Sequence, residues 1–409
     1  MGAGRRLSMP TFRSGHTVQL LFTGQAYFPA LLAALQDARY EVRLESYIFH
    51  DDPVGEQVML ALAACSMRGV KVTLVVDGIG TPTLPPTWTE RLTQSGVQWH
   101  RFSPLGSFGL LIPGRWRRLH RKLCVVDGSV AFCGGINVVD DHFEEDHGPQ
   151  ATPRFDFAVR VTGPLVADID AAMEQFWRRL QFARQASRAA LEQVLYRSQP
   201  TRAAQPASTG SKAEHKEEGM RAGLLLRDNV RNRTRIERAY RQAIARAKTE
   251  VVIANAYFMP GAKLRRALVH AVQRGVRVRL LLQGRYEHFM QFHAAKAFYG
   301  GLLEAGVEIH EYQTGFLHAK VAVIDGQWST VGSSNLDPLS LLLAREANVV
   351  VLDAAFAADL LQRLNTAIDR DSVQLDKAQF QQRPLGQRLK DRVAYFLMRM
   401  TLFLTGRDY

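Results

Sequence analysis

The sequence is poor in several things, and each shortage excludes something. It has three cysteines in 409 residues, Cys65, Cys124 and Cys133, each set in an apolar run and none at a metal-ligand spacing. That argues against a disulfide framework or a thiolate metal centre and leaves reduced core thiols. No stretch approaches the ~20 apolar residues of a membrane-spanning helix. Residues 1–9 are short and basic with no apolar segment behind them, so no signal peptide is expected. Arg6 stands where N-myristoylation wants Ser or Thr. Negative charge is in deficit, with 39 Asp and Glu against 52 Lys and Arg, a net charge of +13. Such an excess favours a polyanionic partner, either nucleic acid or an anionic membrane surface. Basic residues do not interleave with aromatic ones in the stacking stripe of single-strand nucleic-acid binders. The acidic run Asp140-Asp141-His142-Phe143-Glu144-Glu145-Asp146-His147 lacks the oxygen spacing and turn glycine of a calcium loop. It reads as a solvated acidic loop, and no metal or other cofactor is expected.

What is present is a duplication. His120-Arg121-Lys122-Leu123-Cys124-Val125-Val126-Asp127-Gly128 is matched by His318-Ala319-Lys320-Val321-Ala322-Val323-Ile324-Asp325-Gly326. Each copy then closes on glycine and asparagine, as Gly134-Gly135-Ile136-Asn137 and as Gly332-Ser333-Ser334-Asn335. One copy alone would pass for an ordinary hairpin with a snorkelling lysine. Two copies in identical register do not arise by chance.

In a strand, alternate side chains share a face, so His120 and Lys122 point one way and Leu123 and Val125 the other. Asp-Gly between apolar runs is a strong hairpin signal, because type I′ turns need positive φ at both central residues. Counting outward from a two-residue turn sets His120 opposite Gly135 and His318 opposite Ser333. Each histidine would then face a small residue, with Lys and Asn nearby as donors. This is an anion pocket.

The pattern H-x-K-x4-D-x6-G-[GS]-x-N, present twice, closely resembles the phospholipase D superfamily. The resemblance covers nearly the whole chain outside the linker and termini. It implies two α/β/α sandwich halves related by a pseudo-twofold axis and sharing one active site. It also implies a catalytic set of His120, Lys122, Asp127, His318, Lys320 and Asp325. Asn137, Asn335, Ser333 and Gly135 would lie at the substrate phosphate. His120 would be the nucleophile and His318 the general acid, in a metal-free phosphohistidine mechanism. Asp127 and Asp325 nevertheless sit in turns that point away from the pocket. An acidic residue downstream of each motif orients a histidine in this superfamily, and Asp156 and Glu346 are the candidates. Gly135 departs from the usual serine, so the half-sites are unequal.

Element order supports two α/β halves. Helix, glycine stop and buried strand recur as Arg68-Gly69-Val70-Lys71-Val72 and Arg274-Gly275-Val276-Arg277-Val278. The expected division is a first half at 1–186, a polar linker at 187–220, a second half at 221–372 and a basic C-terminal segment at 373–409.

Two segments bear on substrate. Residues 109–118 mix apolar and cationic side chains just before the first motif. Leu385 to Leu404 reads either as a basic amphipathic helix lying on anionic lipid or as a helix packed on the core. The layout is most similar to bacterial cardiolipin synthases of the B type, through Leu44-Glu45-Ser46-Tyr47-Ile48-Phe49, Gly-Gly-Ile-Asn and Arg160-Val161-Thr162-Gly163-Pro164. That resemblance implies a phosphatidyltransferase working at a membrane surface on the anionic phospholipid phosphatidylglycerol, with phosphatidylglycerol, phosphatidylethanolamine or another alcohol as acceptor. The expected location is peripheral, on the cytoplasmic face of the cell membrane. Phospholipid hydrolysis or nucleic-acid phosphodiester cleavage by the same histidines is the alternative, and no nucleic-acid partner is expected.

Overall fold

The computed structural model describes residues 12–106, 113–144, 147–193, 219–228, 232, 234–285, 289–337 and 344–404. The first half runs β1 (Arg13–Phe22), α1 (Thr23–Asp37), β2 (Glu41–Ser46), α2 (Pro53–Met67), β3 (Lys71–Asp77), α3 (Pro86–Gln94) and β4 (Gln98–Phe102). It continues through β5 (Arg118–Leu119), β6 (Lys122–Val126), β7 (Val130–Gly134), the small ribbon of β8 (Phe143–Glu144) and β9 (Gly148–Pro149), β10 (Phe157–Thr162) and α4 (Leu165–Gln193). The second half runs β11 (Met220–Arg227), α5 (Arg235–Arg246), β12 (Glu250–Asn255), α6 (Ala262–Gln273), β13 (Arg277–Gln283), α7 (Phe289–Glu304) and β14 (Glu308–Tyr312). Then come β15 (Lys320–Ile324), β16 (Trp328–Gly332), β17 (Ala344–Leu352), α8 (Ala354–Arg370), β18 (Ser372–Gln374), α9 (Lys377–Gln381) and α10 (Leu385–Leu404). Helix α4 continues to Gln193, beyond position 187 where the linker was expected to begin, and residues 194–218 of that linker lie outside the described residues.

Local chemistry explains the matched starts and stops. Asp52 caps α2 by accepting the Gly55 N–H at 2.8 Å, with Pro53 in the first turn. Gly69 and Gly275, at φ of 90° and 85°, end α2 and α6 in the left-handed region where a Cβ would be strained.

Strand order is the same in each half: β1-β10-β7-β6-β2-β3-β4 and β11-β17-β16-β15-β12-β13-β14. β1 and β11 pair antiparallel and join the two into one sheet. The strand period then distributes the core. Leu123 and Val125, with Val321 and Val323, enter a central cluster that also takes in apolar residues of α4 and α8. Cys124 and Val126 face α1–α3, while Ala322 and Ile324 face α5–α7. Each half is thus layered α/β/α, and the motif strands of both halves contribute to the one central cluster.

Candidate active site

Both Asp-Gly turns adopt the left-handed backbone their sequence predicts, with φ of 52° and 61° at Asp127 and Gly128 and 51° and 60° at Asp325 and Gly326. The loops nevertheless hold three residues, because Val126 pairs with Val130 and Ile324 with Trp328. One extra residue, Ser129 or Gln327, shifts the ladder by one place. The predicted pairing of His120 with Gly135 and of His318 with Ser333 is therefore absent.

Each histidine instead leaves its own hairpin and is stitched to the other half. The His120 N–H donates to the Arg345 carbonyl and the His318 N–H to the Phe155 carbonyl, both at 3.0 Å. β5, just upstream of His120, pairs parallel with the start of β17, and Leu317 makes the equivalent bridge to Phe155. Arg345 and Phe155 immediately precede the two candidate carboxylates.

Those carboxylates consequently cross over. Glu346 of the second half lies 3.1 Å from Nδ1 of His120 in the first. Asp156 of the first half lies 2.6 Å from Nδ1 of His318 in the second. Both carboxylates are buried, and engaging each Nδ1 leaves Nε2 as the ring nitrogen available for chemistry.

The small residues exchange roles for the same reason. Ser333 Oγ hydrogen-bonds Glu346 and accepts the Ala347 N–H at 3.1 Å, so it serves the carboxylate of His120 rather than standing across from His318. A Cβ on Gly135 would come within 2.2 Å of Asp156 Oδ1. Glycine there makes room for the carboxylate that holds His318.

Asp127 and Asp325 do not belong to the reacting set. Asp127 accepts the N–H groups of Arg39, Tyr40 and Glu41 at 2.9, 2.7 and 2.9 Å. Asp325 accepts those of Lys248, Thr249 and Glu250 at 2.9, 2.9 and 3.0 Å. Partial burial works against ionisation, but the backbone donors outweigh it and hold both carboxyls below their usual range. Each aspartate fastens its turn to the strand entering β2 or β12, which is a structural task.

The centre is buried and holds both motif lysines. Lys122 Nζ donates to the His120 carbonyl at 2.9 Å, and Lys320 Nζ donates to the His318 carbonyl while lying 3.9 Å from Asp156. Burial draws the Lys122 ammonium down to about 7, with Glu346 opposing. Burial pushes the Asp156 carboxyl up to about 6, with Lys320 opposing. His120 is lowered by burial, against the pull of Glu346. His318 is lowered further, by burial and then by Lys320, Arg154, Lys122 and His120 itself, which places the two half-sites within electrostatic reach of one another. Asn137 and Asn335 are buried beside the motif ends, and Asn137 Oδ1 accepts the Ile48 N–H at 3.2 Å.

Tyr47 is a site residue that motif reasoning missed. Its ring meets the His120 imidazole edge-on at 4.8 Å, and Lys122 Nζ lies 5.3 Å from the same ring. It follows β2 directly, so its only sequence signal is its place at a strand's C-terminal end.

Two surface expectations change. The acidic run is not simply solvated: Asp141 is buried and accepts the Gly24 N–H, and burial raises its carboxyl to about 6. Glu144 pairs with Arg154 at 2.6 Å, while Glu145 and Asp146 lie outside the described residues. Within 109–118, residues 109–112 also lie outside the described residues, and Arg118 is held by Asp77 at 3.0 Å rather than projecting freely.

The family described as cardiolipin synthase, PLD-like domain, matches residues 31–177 and 240–368, one segment in each half. Cardiolipin synthase B of Escherichia coli K12 is 36% identical over 97% of this chain and 91% of that protein. Cardiolipin synthase A of Pseudomonas putida is 31% identical over 88% of this chain and 70% of that protein. The crystal structure of phosphatidylserine synthase from Haemophilus influenzae superposes with a TM-score of 0.68 at 12% identity, covering 97% of this chain and 95% of that one. At that identity the likeness speaks for the fold alone.

Proposed function

We infer function from membership: this chain belongs to the cardiolipin synthase family of phospholipase D-like proteins. It is a phosphatidyltransferase that makes cardiolipin from phosphatidylglycerol and a second phospholipid. The observation that carries this reading is the pair of buried histidines, each oriented by a carboxylate from the opposite half, in a chain similar over nearly its full length to cardiolipin synthase B.

The chemistry follows from the arrangement. Burial and the lysine cations bias both imidazoles toward the neutral form. A phosphodiester anion between them opposes the lysine effect and favours a proton on one ring. Nε2 of His120 attacks phosphorus, the bond to the headgroup glycerol breaks, and His318 gives its proton to the departing oxygen. Glycerol leaves and a phosphatidyl group remains on His120. The hydroxyl of the second lipid then loses its proton to His318 and attacks phosphorus. The phosphorus–nitrogen bond breaks, giving cardiolipin and the starting enzyme. Lys122, Lys320, Asn137 and Asn335 bear the charge on the nonbridging oxygens. The acceptor must supply a hydroxyl, which the phosphatidylglycerol headgroup has and the phosphatidylethanolamine headgroup lacks.

Among the described residues no helix is long and apolar enough to cross a membrane. The enzyme works peripherally, on the inner face of the cell membrane, drawing both substrates from an anionic bilayer. Purified protein incubated with labelled phosphatidylglycerol vesicles tests the reading, with products resolved by mass spectrometry. Cardiolipin and free glycerol in equal amounts are expected. Phosphatidic acid as the sole lipid product would make the protein a hydrolase and overturn the transferase reading.

A further inference from the structure

Helix α10 presents a face that is exposed among the described residues. Leu385, Leu389, Val393, Phe396, Leu397 and Met400 fall on one side of it at helical spacing, and their exposures run from 41% to 80%. The opposite side is anchored: Asp391 is buried against His293 at 2.8 Å and Arg383 at 3.0 Å, Ala394 is buried, and Tyr395 meets Phe298 at 5.0 Å between ring centroids. The reading of this segment as a helix packed on the core therefore holds for that side. Lys390 and Arg392 are exposed beside the apolar stripe, with Arg388 half-buried.

We propose that this outward face of α10 is the surface by which the enzyme seats itself on an anionic lipid bilayer. A stripe of large apolar side chains rimmed by lysine and arginine is the composition that lies in the headgroup boundary, apolar side down and cations against lipid phosphate. Charge selects the bilayer over a second copy of this chain, since a symmetric pairing of two such faces would set two cationic rims along one seam. The net charge of +13 acts in the same direction. The inference rests on the reading that the substrate is a phospholipid.

The test uses the full chain, a Leu389→Asp/Phe396→Asp variant and a Lys390→Glu/Arg392→Glu variant. Flotation is measured with phosphatidylglycerol-containing and pure phosphatidylcholine vesicles, and size by gel filtration. Turnover is measured on vesicles and on short-chain phosphatidylglycerol dispersed as monomers. The apolar-face variant should lose about tenfold or more in vesicle affinity and a similar factor in vesicle turnover, keeping turnover of the dispersed lipid within about twofold. The charge-reversal variant should lose affinity for the anionic vesicles only. Undiminished flotation of both variants, or wild-type protein that does not float, overturns the proposal. So does a wild-type dimer that the apolar-face substitutions convert to monomer with no change in flotation, since the occupant is then a second copy. Wild-type protein that floats through this face but turns over no lipid upholds the docking surface and removes the reading of the reaction instead.

Discussion

Asp156 and His318 sit 162 positions apart and in different halves, yet they meet at 2.6 Å. Glu346 and His120 make the reciprocal contact. Neither half therefore holds both a motif histidine and the carboxylate that engages it. Asp156→Asn and Glu346→Gln should each lower kcat by about 10²–10⁴ while leaving the fold intact, the range spanned by general acid–base contributions. Steady-state assays alongside circular dichroism check this. Wild-type kcat in either folded variant would show that the crossed carboxylates do not matter to the reaction.

Gly135 and Ser333 should respond differently to exchange. Ser333→Ala removes one hydrogen bond to Glu346 and is expected to cost about tenfold in kcat, equivalent to about 1.4 kcal/mol. Gly135→Ser forces a Cβ onto the Asp156 carboxylate, so it should lose more activity than Ser333→Ala. The reverse order in side-by-side assays would contradict the roles assigned to the two residues.

Lys122 should set an alkaline limit on turnover. Burial lowers its ammonium to about 7, so kcat/KM should fall as pH rises through that value and the charge that steadies the phosphate is lost. Lys122→Arg keeps its charge to far higher pH, at some cost in kcat, and should move the limit up by about one pH unit or more. Identical alkaline limbs in the two pH profiles would remove Lys122 as their origin.

Asp127 and Asp325 belong to the fold. Asp127→Ala or Asp325→Ala should lower unfolding stability by about 1–2 kcal/mol, through unsatisfied backbone donors, and leave kcat within about threefold. Both carboxyls are held below their usual pKa, so their contribution is present above about pH 4 and lost as pH falls through the folded-state value. The penalty should therefore shrink in urea unfolding at acidic pH. A large loss of kcat in a stable variant would return these residues to the chemistry.

The sequence carried the architecture because duplication made each half a check on the other, and glycine stops such as Gly69 and Gly275 recur in register. Strand alternation likewise placed Lys122 apart from Leu123 and Val125. What stayed hidden depends on how the halves dock. Asp156 and Glu346 could be named as orienting groups, but nothing local says which histidine each one reaches. The extra loop residues Ser129 and Gln327 leave no signal beside an Asp-Gly dipeptide, and that one-place error misassigned the neighbours of Gly135 and Ser333. Tyr47 lies outside the motif and reaches the site only because β2 ends beside His120.

The central claim is that His120, held by the opposite half, carries the phosphatidyl group. It is tested most directly by rapid quench of the enzyme with phosphatidylglycerol, followed by peptide mapping in wild type, His120→Ala and His318→Ala. The account predicts a phosphatidyl adduct on the His120 peptide, persisting or accumulating in His318→Ala and absent in His120→Ala. An adduct on the His318 peptide, or turnover by His120→Ala, would contradict it.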